Sequence, residues 1–330
     1  MDFEQPLPAE AMRQVMTQIM TGSYPAESTR IFLQTLAKRG ETSQEIAVAV
    51  EVLRAHAVRL PLTNTQNLCD TCGTGGDKQQ TVNVSTLAAL VAAASGVRIV
   101  KHGNRAASSR CGSADVLEAM GVNLSASPKQ VAHCVETLGF GFCFAPIFHP
   151  AMKGVAGIRK ELGIRTLFNL IGPLANPAAL AFQLVGVSDE RLLQPMAEAI
   201  SRLGVQHGMV VHGRDGLDEI STTALTDTLE VRDGRITRAT LDTRAFDIPR
   251  VLLPAIQGGS VERNAAIARD ILDGKEGPAR DIVVVNAGCV IYVSNRAATI
   301  QEGMESARQT IESGKARQLL DRVRSLCVSP

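Results

Sequence analysis

Two stretches of this chain carry residue types that can hold a highly charged ligand. The first is Asp70-Thr71-Cys72-Gly73-Thr74-Gly75-Gly76-Asp77, where three glycines in four positions let the main chain turn sharply and bring N–H groups against a ligand. Thr81, Asn83 and Ser85 then alternate with Val82 and Val84, so three short polar side chains are expected on one side of an extended segment. An Ala/Leu run over 87–94 reads as a buried helix closed by Gly96. Ser85 and Thr86 stand at its N-terminus, where unpaired N–H groups and the helix dipole attract an anion. The second stretch follows a strand expected over 97–100. It reads Lys101-His102-Gly103-Asn104-Arg105, then Ala106-Ala107-Ser108-Ser109-Arg110-Cys111-Gly112-Ser113. The glycine loop matches neither G-x-x-x-x-G-K-[ST] nor G-x-G-x-x-G, and a lone Gly-rich turn is more often a tight connection. A turn has no use, however, for Lys101, Asn104 and Arg105 at a strand end. Together the two stretches suit a polyphosphate.

Further residues could complete such a site. Asp218-Glu219 follow a strand expected over 209–212 and the turn Gly213-Arg214-Asp215-Gly216. Adjacent loop acids are usually solvated, but a Mg²⁺–pyrophosphate site needs only one or two carboxylates with waters retained. On the helix that starts at His149-Pro150-Ala151-Met152, the residues Met152, Val155, Arg159 and Leu162 share one stripe. Lys153 and Lys160 share another with Glu161 and read as a solvated face. Arg159 on an apolar stripe fits either a buried ion pair or a guanidinium held to receive a carboxylate through two parallel hydrogen bonds. Cys69 and Cys72 have CxxC spacing, but no second Cys or His cluster accompanies them, so they read as core-lining thiols. His56, His133 and His207 lie in apolar-patterned segments and read as structural or surface residues.

The elements that position these residues fall into two groups. Residues 1–66 are helical in pattern. Met12, Val15, Met16 and Ile19 form one apolar stripe. Pro25 opens a second helix with Ile31, Phe32, Leu33 and Leu36 inside, and Thr42-Ser43-Gln44-Glu45 is a capping box for a third that runs to about 58. From 67 onward strands and helices alternate. Ser127-Pro128-Lys129-Gln130 caps a helix to 138; strands are expected over 140–144, 181–187, 209–212 and 281–285, with a helix over 192–203. Asp233-Gly234 is a hairpin signal between 228–232 and 235–240. Helices over 261–272, 287–292 and 300–323 end the chain. The expected fold is therefore α/β: a small N-terminal helical domain, 1–66, joined by helices from about 150–180, and a large domain, 67–330, with a mostly parallel or mixed sheet flanked by helices.

With 34 Lys+Arg against 33 Asp+Glu, the net charge is +1, so no global field recruits nucleic acid or an anionic membrane. Seven scattered cysteines resemble reduced thiols more than a disulfide framework, and no signal peptide or membrane-length apolar run is visible. A cytoplasmic location is expected.

Several motifs also carry a family likeness. Gly73-Thr74-Gly75-Gly76-Asp77, Asn83-Val84-Ser85-Thr86, Lys101-His102-Gly103-Asn104-Arg105 and Gly112-Ser113-Ala114-Asp115-Val116-Leu117-Glu118 occur in order and resemble anthranilate phosphoribosyltransferase. Gly163-Ile164-Arg165-Thr166-Leu167-Phe168-Asn169-Leu170-Ile171-Gly172-Pro173-Leu174-Ala175-Asn176-Pro177 continues the likeness. The resemblance implies Mg²⁺-dependent transfer of phosphoribose from phosphoribosyl pyrophosphate (PRPP) to anthranilate, with two magnesium ions on Asp218 and Glu219 and Ser85 reaching one. It implies PRPP contacts from Gly73, Gly76, Asp77, Thr81, Asn83, Val84, Ser85, Thr86, the run from Lys101 through Ser109, and Ser113. It implies anthranilate contacts from Gly73, Asn104 and Arg159, with His149, Gly172 and Pro173 nearby, and a homodimer through the helical domain. Lys78 and Val82 stand where the family pattern leads one to expect glycine and phenylalanine, and Cys111 where serine is usual. Two competing readings are a pyrimidine-nucleoside phosphorylase and a non-catalytic relative that binds single-stranded nucleic acid through Lys101, Arg105, Arg110, Lys153, Arg159 and Arg165. Only 3% aromatic residues leaves few platforms for stacked bases, which weighs against the second.

Overall fold

The computed structural model describes residues 2–106 and 110–326, so Ala107, Ser108 and Ser109 lie outside the described residues. Helices α1 (Ala9–Met20), α2 (Ala26–Arg39) and α3 (Ser43–Ala55) open the chain. Met12, Val15, Met16 and Ile19 are all buried, as their spacing requires. The capping box at α3 is made: the Glu45 amide donates to Thr42 Oγ1 and the Thr42 amide to Glu45 Oε2. Ile31, expected inside, is 48% exposed, because the inward stripe of α2 is Thr29, Phe32, Leu33 and Leu36.

The rest of the chain winds around one sheet. In order come β1 (Leu68–Gly73), α4 (Val84–Ala94), β2 (Arg98–Gly103), α5 (Ser113–Ala119), α6 (Pro128–Leu138), β3 (Phe140–Phe144), α7 (Ala145–Phe148), α8 (Lys153–Leu162) and α9 (Leu167–Ile171). Then follow β4 (Phe182–Gly186), α10 (Leu193–Arg202), β5 (His207–Gly213), β6 (Thr226–Arg232), β7 (Arg235–Leu241), α11 (Val261–Leu272), α12 (Pro278–Val293), α13 (Ile300–Glu312) and α14 (Lys315–Leu326). The strand order is β3-β2-β1-β4-β5-β6-β7, with the first five parallel and the last two antiparallel. The hairpin Asp233-Gly234 has both residues in the left-handed region, at φ 49° and 80°, matching the twist of β6 and β7.

Strand residues alternate between two cores. Leu184, Met209 and Val211 pack with α4, α6 and α11–α14 on one face. Val185 and Val210 pack on the other with α1–α3 and α8–α10. The N-terminal helices therefore share their apolar interior with elements from 155–231. Residues 281–285, expected as a strand, lie inside α12. That helix is buried nearly all round against α4, α13 and β4, so its apolar run lacks the periodicity that marks a surface helix.

The loop after β1 also departs from expectation. It is not an extended segment with one polar side: Thr81 makes a single bridge to Gln257, Asn83 stands at the N-cap, and α4 already begins at Val84. Val84 and Thr86 are buried, and Val82 packs with Val84, Leu217 and Ile256. Gly75, Gly76, Lys78 and Gln80 all have positive φ, so Lys78 carries a side chain through a conformation that favours glycine. Among the described residues no helix is long and apolar enough to cross a membrane.

Candidate active site

The chain order reverses between β1 and β4, and in open α/β sheets ligands bind beyond the carboxyl ends of the strands at such a switch point. Gly73 and Gly186 are register partners at those ends. A Cβ at Gly73 would lie 2.0 Å from Asp218 Oδ2, and one at Gly186 would lie 1.6 Å from the Asp218 carbonyl oxygen. The two glycines thus leave a notch that the loop after β5 fills with its acidic pair. The Gly75 amide donates to Asp218 Oδ2 at 2.7 Å, and the Ser85 amide in the first turn of α4 donates to Glu219 Oε1 at 3.0 Å. Behind the pair, Asn286 of α12 accepts from the Ile220 amide and donates to its carbonyl, both at 3.0 Å.

Charge is concentrated there. Burial first, and then the Asp218 charge, push the Asp77 carboxyl up to about 6. Burial raises Asp218, and burial together with Asp218 raises Glu219 well above the usual carboxylate range. Lys101 draws Glu219 back towards ionisation, and Arg165 does so for Asp218. Among the described residues, no three His, Cys, Asp or Glu side chains form a complete metal cage. The donor set fits a hard divalent cation whose remaining oxygens come from water and a phosphorylated ligand.

The basic stretch is partly turned away from this notch. Lys101 is 1% exposed, and its Nζ donates to the Thr71 carbonyl at 2.6 Å. Asp70 beside it accepts from the Thr71 and His102 amides and from Asn176 Nδ2. Arg105 reaches away to Glu118 and Asp115 and lies 5.7 Å from the centre of the Phe144 ring. Asp115 also accepts from the Ala106 and Gly112 amides, closing the turn that presents Asn104. Ser113 Oγ donates to the Asn104 carbonyl and sits where a Cβ on Gly103 would be, 2.3 Å away. Asn83 Nδ2 donates to the Cys111 carbonyl, tying the turn to α4. With Lys101 buried and Arg105 in ion pairs, the basic residues do not line one open groove for nucleic acid.

A second pocket wall lies beside Gly73. His102 and His149 meet edge to face at 5.0 Å between ring centres, and His102 Nδ1 hydrogen-bonds the Gly172 carbonyl. The Pro173 carbonyl accepts from Cys72 Sγ and Gln183 Nε2. Burial lowers His102 to about 3 and His149 to about 4, so both rings are neutral near pH 7. The guanidinium of Arg159 lies 5.5 Å from the centre of the Phe168 ring. Among the described residues it has no carboxylate partner, and burial alone lowers its pKa. The buried-ion-pair reading of Arg159 therefore falls.

Residues with no role at this site legible in the motifs also shape it. Arg165 donates to Ser188 Oγ at 3.2 Å, and Ser188 donates to the Gly75 carbonyl at 3.0 Å, leaving Arg165 Nε and Nη2 buried and unpartnered. Asn176, Asn264 and Asn286 are buried polar anchors spread over more than a hundred residues, which no local spacing connects.

A helical unit joined to an α/β sheet, with a glycine loop and an acidic pair at its switch point, defines a glycosyl transferase. Residues 65–317 match the glycosyl transferase family a/b domain, and residues 3–57 match that family's helical bundle domain. An anthranilate phosphoribosyltransferase from Alkaliphilus metalliredigens is 47% identical over 319 residues, covering 97% of this chain and 94% of the relative. The crystal structure of the Thermus thermophilus anthranilate phosphoribosyltransferase superposes with a TM-score of 0.93 at 44% identity, over 98% of this chain and 97% of that one. The Saccharomyces cerevisiae enzyme, solved with PRPP and Mg, gives a TM-score of 0.89 at 27% identity, over 97% and 93%. The chain belongs to the anthranilate phosphoribosyltransferase family.

Replacing Gly186 with alanine forces a Cβ into the Asp218 carbonyl. Gly186→Ala is expected to destabilise the fold by about 1–3 kcal/mol in chemical denaturation and to displace the acidic pair. Gly154→Ala, whose Cβ meets nothing within 4 Å, is the control and is expected to be neutral or slightly stabilising.

Proposed function

We propose that this chain transfers the phosphoribosyl group of PRPP to the amine of anthranilate, releasing pyrophosphate and forming N-(5-phosphoribosyl)anthranilate for tryptophan biosynthesis. The observation that carries this reading is the insertion of Asp218-Glu219 beneath the glycine loop, in hydrogen-bond contact with the Gly75 and Ser85 amides. Gly73, Gly76, Asp77 and the Asn83–Thr86 segment would hold pyrophosphate and ribose through amides and hydroxyls. The run from Lys101 to Ser109, with Ser113, would hold the remaining phosphate oxygens, Lys101 supplying buried positive charge from below. Asp218, Glu219 and Ser85 would hold two Mg²⁺ ions, which when bound would neutralise the departing pyrophosphate.

The chemistry asks little of a general base. The C1–oxygen bond breaks with its electron pair leaving on pyrophosphate, the neutral aryl amine forms the C1–nitrogen bond, and the nitrogen then sheds a proton. Catalysis rests on positioning and on charge stabilisation at an oxocarbenium-like C1. The unpaired guanidinium of Arg159 fits the anthranilate carboxylate, and neutral His102 and His149 with Gly172 and Pro173 would wall the aromatic ring.

The helical unit, residues 1–66 with helices from about 150–180, would form the homodimer contact, and the enzyme would work in the cytoplasm. Light scattering at micromolar concentration is expected to give twice the mass of one chain; a monomer would remove the dimer. Anthranilate fluorescence should fall in the presence of enzyme, PRPP and Mg²⁺ and stay constant with EDTA; loss of the signal with EDTA present would refute the metal role. Arg159→Ala is expected to raise the KM for anthranilate by about tenfold or more while the KM for PRPP changes little. Equal rises in both would refute the carboxylate contact.

A further inference from the structure

Asn83 does not stand alone at the head of α4. Its Oδ1 accepts a hydrogen bond of 2.8 Å from Asn264 Nδ2, and its Nδ2 donates to the Cys111 carbonyl at 3.1 Å. Asn264 in turn accepts from the Gly259 amide through Oδ1 at 2.7 Å. Three hydrogen bonds thus form one directional chain of four groups: Gly259 amide to Asn264, Asn264 to Asn83, Asn83 to Cys111. Asn264 lies on α11 and is 4% exposed. Its carboxamide occupies the space that a side chain on Gly258 would need, since a Cβ there would lie 2.2 Å from Asn264 Oδ1.

The backbone around this chain is stapled in the same sense. The Val82 amide donates to the Ile256 carbonyl at 3.0 Å, the Gly258 amide to the Gln80 carbonyl at 2.9 Å, and Thr81 bridges Gln257. The segment 256–259 therefore runs beside residues 80–82, between the glycine loop and α4, while the side-chain amides continue the connection to Cys111. A carboxamide can turn over to exchange oxygen and nitrogen, and only its partners decide which end faces which way. Gly259 is a backbone donor and fixes Asn264 with Oδ1 towards it; Asn264 then fixes Asn83 with Nδ2 towards the turn. One of the two Asn83 Nδ2 protons goes to Cys111, leaving the other for a phosphate oxygen.

We infer that Asn264 is a positioning residue: it locks the Asn83 amide and, through Asn83, sets the spacing between the α4 N-terminus and the backbone at Cys111, and so governs affinity for PRPP without touching it. The inference rests on the reading of Asn83 as a PRPP ligand.

Steady-state kinetics with PRPP and anthranilate varied separately, together with thermal unfolding of each variant, tests it. Asn264→Asp keeps the acceptor for Gly259 but turns an oxygen towards Asn83 Oδ1. It is expected to raise the KM for PRPP by about tenfold while the KM for anthranilate stays within about twofold. Gly258→Ala pushes on the Asn264 carboxamide from its other side and is expected to give the same split, which keeps the test open if Asn264→Asp does not fold. Asn83→Ala is the reference, and adding Asn264→Asp to it is expected to change the KM for PRPP by less than about twofold. The inference is overturned if Asn264→Asp and Gly258→Ala lower the melting temperature without a selective rise for PRPP. It is also overturned if the two substitutions act additively. If Asn83→Ala itself leaves the KM for PRPP unchanged, the reading of Asn83 as a ligand fails, and the inference fails with it.

Discussion

Two glycines opposite each other on adjacent parallel strands impose the constraint on which this architecture depends. Gly73 and Gly186 lack the atoms that would otherwise meet across the end of the β1–β4 pair, and the main chain and side chain of Asp218 occupy that space. Close approach of backbone to backbone is what glycine uniquely permits. The loop after β5 is thereby drawn under the loop after β1, and a carboxylate comes within hydrogen-bond reach of the Gly75 amide. Without the notch the acidic pair would have to stand off by at least the depth of a methyl group.

The surrounding interior is built to tolerate this density of charge. Asp70 is wholly buried yet accepts four hydrogen bonds, from two amides, a carboxamide and the Cys72 thiol, and Lys101 sits beneath the loop with its ammonium on a strand carbonyl. Buried charges survive when they are paired or fully hydrogen-bonded. Burial raises the Asp70 carboxyl as well, but Asp77, Asp218 and Glu219 differ in crowding one another, so that neighbouring negative charge adds to burial in raising Asp77 and Glu219. A site that is electrostatically unsatisfied on its own is suited to a ligand that arrives carrying cations. Asn286 of α12 helps keep this unfavourable cluster in place by bonding both backbone groups of the adjacent Ile220.

Much of this was legible from residue order, and the failures have identifiable causes. The capping boxes at Thr42 and Ser127 and the Asp233-Gly234 hairpin are local signals, and each forms where the spacing puts it. The proximity of Asp218-Glu219 to the glycine loop came from family likeness, since nothing local links residues 143 positions apart. Residues 281–285 read as a strand because a helix buried on all sides shows no polar face. The partner of Arg105 is likewise invisible in composition: Glu118, thirteen residues on, holds its guanidinium in this structure. Asn264 carried no signal at all, and Arg165 stood in a family motif with no role attached: single polar residues gain meaning only once the fold supplies their partners. Lys78 shows the reverse case, a side chain standing in a left-handed turn that geometry would assign to glycine.

The shared interior of α1–α3 bears on how the protein is made. Leu33, Leu36 and Leu53 lie in the same apolar cluster as Leu167, Leu170 and Met196, which the ribosome adds more than a hundred residues later. At typical elongation rates the leading helices wait on the order of 5–25 s with that surface uncovered. During this interval the nascent chain is a natural client for chaperones, and translation speed through the middle of the message bears directly on yield.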